Sequence, residues 1–148
     1  MIQLTSNMRE VIGSIVGKLD GLQNPIFLER AVSAAVLPKI RYRVFIEGKN
    51  AEGQQIGTYS NSYLEFRKKN NRGSDPKVIL SLTRQMENDL SVVNDNNSVA
   101  IGFKNDFNFE KLVHLEEKYQ QHILTGLTED EVQVMIDYIN DELNKYIE

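Results

Sequence analysis

A chain of 148 residues, 41% hydrophobic and 26% charged, is long enough to fold as one domain, 1–148, around its own core. It contains no cysteine, which excludes disulfides, thiolate catalysis and thiolate metal sites. Its net charge of −4 conceals an asymmetry: residues 1–38 are neutral, residues 39–84 carry +6 and residues 85–148 carry −10. Such a distribution suits head-to-tail self-association, basic face against acidic face, or contact with nucleic acid through the basic part. The N-terminus lacks the apolar run of a signal peptide, and no stretch approaches the roughly 20 apolar residues of a bilayer span. A soluble protein made inside the cell, with no membrane partner, is the expectation.

Apolar residues at Leu4, Met8, Ile12, Ile15, Leu19 and Leu22 predict a first helix, weakened by Gly13 and Gly17. Asn24-Pro25 then marks a helix start. Leu28, Ala31, Val32, Ala35, Val36, Ile40 and Val44 share one face of a second helix. Pro38 falls inside it and predicts a kink or a break. Two readings are open here: a kinked helix, or a helix ending near Leu37 followed by a strand over 40–46, where the run IRYRVFI alternates.

Residues 48–76 hold Gly48, Gly53 and Gly57 and few core candidates, the signature of a long flexible loop. Its second half sets Tyr63, Leu64 and Phe66 among Arg67, Lys68, Lys69 and Arg72. A short helix over 84–90 turns Met86 and Leu90 inward. Two strands joined by an Asn/Asp-rich link, 90–93 and 99–103, read as a β-hairpin. A helix from Phe109 to Tyr119 follows. Thr128 and Glu131 then form a capping box that opens a last helix, with its stripe on Val132, Met135, Ile136, Ile139, Leu143 and Ile147.

Chemistry is sparse in this pattern. Gly48 and Gly53 have P-loop spacing, but Gln54 and Gln55 stand where the phosphate-binding Lys and the Ser/Thr are required. His114 and His122 are eight apart, whereas a helical zinc pair needs four. Asp95-Asn-Asn97 begins like a calcium loop, yet Val99 occupies the next ligand position. Neighbouring acids such as Glu129/Asp130 and Asp141/Glu142 diverge on a helix and read as a solvated face. No catalytic residue, cofactor site or metal site is expected, and the chain does not read as an enzyme.

The order of several short motifs resembles the phage virion-morphogenesis or tail-completion family, the head–tail joining proteins of Mu-like and related long-tailed phages. The motifs are Arg43-Val-Phe-Ile-Glu47-Gly48, Ala51-Glu-Gly53, Ile56-Gly-Thr-Tyr59, Leu82-Thr-Arg-Gln85-Met86, Ile101–Phe103 and Leu115–Tyr119. They cover about residues 28–132. Gln85 stands where that family commonly has glycine, and Pro38 interrupts the leading helix. The resemblance implies an α+β fold, with long helices packed on a small antiparallel sheet, and favours a helix running to about Phe45. It implies a structural role in the host cytoplasm during assembly and then in the virion. The partners would be further copies in a ring and other tail or connector proteins. The long loop would be the assembly element, with Tyr59, Tyr63, Phe66, Arg67, Lys68, Lys69 and Arg72 as its interface. A small nucleic-acid-binding protein using the basic 67–84 tract is the alternative.

Overall fold

A computed structural model describes residues 25–95 and 98–147. The expected helix over 4–22, the cap at Asn24 and the link residues Asn96 and Asn97 lie outside the described residues. The fold is α+β: the described residues form five helices packed with a two-stranded antiparallel sheet.

Residues 25–47 form one continuous helix, α1. Its turns alternate between α geometry, at Pro25–Ala31 and Leu37–Arg41, and wider π geometry, at Val32–Val36 and Tyr42–Glu47. Pro38 therefore neither ends the helix nor starts a strand. A proline ring presses on the carbonyl one turn back. The π turn ahead of it, closed by the Leu37 N–H on the Val32 carbonyl, widens the chain at that point. Ala31, Val32, Val36, Ile40, Val44 and Phe45 are fully buried along one face.

Gly48 ends α1 in the left-handed region at φ 68°, and the Lys49 N–H closes the cap on the Arg43 carbonyl at 2.9 Å. Any side chain at Gly48 would place its Cβ 2.1 Å from the Val78 carbonyl oxygen. Glycine is required here by both the dihedral and the close approach.

The structure differs from expectation over 48–76, which is built rather than loose. The Asn50 side chain accepts from the N–H groups of Glu52 and Gln54 at 3.0 and 2.9 Å, and donates to Gln121 at 3.0 Å. The Ala51 N–H bonds the His122 carbonyl at 2.8 Å. Helix α2, Asn61–Lys69, follows, capped by the Ser60 hydroxyl. Polar residues that signal a loop by composition here satisfy their own turns and those of residues 121–122.

Helix α3, Gln85–Asp89, leads into strands β1, Leu90–Asp95, and β2, Ser98–Phe103. The register runs from Leu90 opposite Phe103 to Asp95 opposite Ser98. Helix α4, Asp106–Tyr119, is capped by Asn105, and Asp89 in turn holds Asn105 and Asn108. Helix α5, Glu129–Ile147, opens with the expected capping box. Thr128 N–H donates to Glu131 at 2.9 Å, and the Glu131 N–H donates to the Thr128 hydroxyl at 3.2 Å. α1 lies between α5, which contributes Met135 and Ile139, and the hairpin, which contributes Leu90, Ile101 and Phe103. No described helix is long and apolar enough to cross a membrane.

Candidate functional site

A groove of about 790 Å3 lies between α4 and the chain that runs from α2 through residues 78–86. Its size falls within the range of binding pockets. Tyr59, Tyr63, Leu80, Leu82, Leu115 and Tyr119 supply apolar and aromatic surface. Arg84, Lys111 and Lys118 supply its charged rim, with His114 between the two lysines on α4. Among the described residues no aspartate or glutamate lines it, although the chain as a whole is acidic.

The local sequence explains this arrangement. Lys111, Leu115 and Lys118 are spaced four and three apart on α4, so they share one face. Lys111 sits over the Phe107 ring at 4.4 Å and donates to Gln85 at 2.8 Å. Lys118 lies over the Tyr119 ring at 5.4 Å. Arg84 adopts φ 60° at the start of α3 and pairs with Glu87 at 3.1 Å. That hydrogen bond with Glu87 holds the guanidinium pKa above its ordinary value.

Opposite α4, aromatic rings form a ladder. Tyr59 and Tyr63 stand 4.9 Å apart, and Tyr63 stacks on Phe66 at 5.9 Å. The Tyr59 hydroxyl donates to the Ile79 carbonyl and accepts from the Ile79 N–H at 3.0 Å. Burial pushes its pKa above 10.0, while the Ile79 bond and the Arg67 charge pull the other way.

The expected interface residues therefore divide. Tyr59 and Tyr63 line the groove, and Phe66 extends the ladder into solvent at 48% exposure. Lys68, Lys69 and Arg72 are exposed at the far end of α2, away from the groove lining. Arg67 corrects the expectation. It is buried, donates to the carbonyls of Arg72 and Ser81 at 2.7 and 3.1 Å, and stacks over the Tyr59 ring at 4.8 Å. Its place in a basic run marked it as a surface cation, but the turn after α2 wraps around it. No carboxylate pairs with it among the described residues, so its charge adds to the positive character of the groove wall.

Sequence reasoning missed Leu82, Lys111, His114 and Lys118. Charge counted by segment hid the two lysines, because 85–148 is acidic overall. Their seven-residue spacing on a helix was the available signal.

A second constellation is structural. Buried Arg43 donates to Glu131 at 2.5 Å, to the Ile123 carbonyl at 2.8 Å and to the Lys49 carbonyl at 3.2 Å. Glu131 also closes the α5 capping box. One carboxylate thus ties the end of α1 to the start of α5. Nearby, Glu116 accepts from the N–H groups of Ile123 and Leu124 at 2.7 and 2.9 Å and holds that turn against α4. Among the described residues no group of three or more His, Asp or Glu side chains is placed to hold a metal ion.

No family model, curated protein or solved structure matches this chain.

Proposed function

We propose that this chain is a structural protein of phage or prophage tail completion, joining head to tail through protein–protein contacts and assembling as a ring. The observation that carries the proposal is the groove: an apolar, aromatic wall rimmed by cations and free of carboxylates among the described residues, on an acidic chain. Such a surface offers anchors and a preferred partner charge, the chemistry of a protein interface. The motif order that resembles the tail-completion family supplies the biological context. The motif residues Tyr59, Leu82, Met86, Leu115 and Tyr119 all line this groove.

The nucleic-acid alternative has less support. Within the basic 67–84 tract, Arg67 is buried, and Lys68, Lys77 and Arg84 each face a nearby carboxylate. Few cations are left to neutralise phosphates.

Deleting the gene from the phage or prophage that encodes it tests the role. The expected result in negative-stain micrographs is filled heads and tails that fail to join, restored by supplying the gene in trans. Intact virions from the deletion would overturn the proposal.

A further inference from the structure

The groove has a counterpart on the same molecule. Tyr42 and Ile46 lie one turn apart on the outer face of α1 and are 58% and 51% exposed, so together they form a small apolar patch. Tyr42 borders a second, more polar cavity of about 810 Å3 where α1 meets the start of α5. The charges around it are mostly committed: Lys49 pairs with Glu47, and Arg43 pairs with Glu131. Glu52, Glu129 and Asp130 remain against Lys39, which leaves a net negative rim. This region shares no lining residue with the groove.

We infer that the Tyr42/Ile46 knob of one copy docks into the Tyr63/Leu82/Lys111/Lys118 groove of a second copy of this chain. The inference rests on the proposed assembly role and names the two surfaces that would carry it. Both surfaces are apolar, an exposed Tyr–Ile pair on one side and a wall of leucine and tyrosine side chains on the other. The charges complement too: Glu52, Glu129 and Asp130 around the knob face Lys111, Lys118 and Arg67 around the groove. Burying both partners removes the exposed apolar surface that each copy otherwise presents to water. Since knob and groove are different patches, the contact is heterologous. Each copy then offers a free knob at one end and a free groove at the other, which closes into a ring when the rotation per copy permits.

A mixing experiment tests this pairing. One variant loses the knob (Tyr42→Ser with Ile46→Asp) and another loses the groove rim (Lys111→Glu with Lys118→Glu). All four residues sit outside the buried core, and circular dichroism checks that both variants fold. Light scattering should show each variant self-associating at least about tenfold more weakly than wild type. Mixed at equal concentration, the two variants should form a one-to-one dimer and nothing larger. The intact groove of the first accepts the intact knob of the second, and neither product can extend. A wild-type oligomer that survives in both single variants overturns the pairing and leaves ring assembly standing, with the groove left to a different partner. Variants that lose self-association but do not pair when mixed also overturn it. A wild-type chain that stays monomeric at every concentration overturns both the pairing and the ring.

Discussion

Single residues show where sequence position misleads about role. Arg67, Lys68 and Lys69 are adjacent and look equivalent, yet only Arg67 is buried and wrapped by carbonyls. Arg67→Ala should lower unfolding stability by about 1–3 kcal/mol, since it strands buried acceptors. Lys69→Ala should leave stability within about 0.5 kcal/mol of wild type. Urea melts of the two variants separate a structural cation from a surface one. Gly48→Ala should destabilise by more than about 1 kcal/mol, because an L-residue is strained there and the new methyl meets the Val78 carbonyl. Tyr59 gives a pH prediction. Its folded-state pKa lies above its unfolded value, so its contribution to stability is fully present below about pH 10 and is lost as pH rises through the folded value. Thermal melts should show an alkaline loss of stability that is smaller in Tyr59→Phe. An unchanged alkaline slope in that variant would contradict the assignment.

At the scale of elements, the periodic helices and the hairpin were legible in the sequence, and the joints between them were not. The apolar stripe of α1, the capping box of α5 and the alternation of β2 are local patterns with known physical causes. The continuation of α1 through Pro38 was not readable from residues alone. It depends on the π turn at Val32–Val36, whose wider geometry leaves room for the ring. Residues 48–57 read as loose because glycine and polar residues dominate there. Their order comes from Gln121 and His122, about seventy positions away, which no local window contains. The Arg43–Glu131 pair likewise spans 88 positions. Replacing Glu131 by Ala leaves a buried guanidinium without its counter-ion and also removes half of the capping box. Chemical denaturation should show a loss of about 3–5 kcal/mol. Gln120, by contrast, ends α4 in the left-handed region at φ 52°. Gln120→Gly should stabilise the protein by about 0.5–1 kcal/mol by relieving that conformation, visible as a higher melting temperature.

For the whole molecule, the charge asymmetry seen along the chain becomes a spatial one with different boundaries. The basic face is not the 67–84 tract alone. It joins the aromatic ladder of α2 to Lys111 and Lys118 from a segment that is acidic overall. The acidic face joins Glu52 from the glycine-rich turn to Glu129 and Asp130 of α5. Folding sets Glu52 beside Glu129 and Asp130 near the Arg43–Glu131 tie, so charge summed by segment does not describe either face. Light-scattering mass of the wild-type protein, measured across concentration at low and high salt, tests the assembly claim most directly. The account predicts a discrete oligomer whose population grows with concentration and shrinks as salt screens the complementary rims. A mass that stays at that of one chain under all these conditions would contradict it.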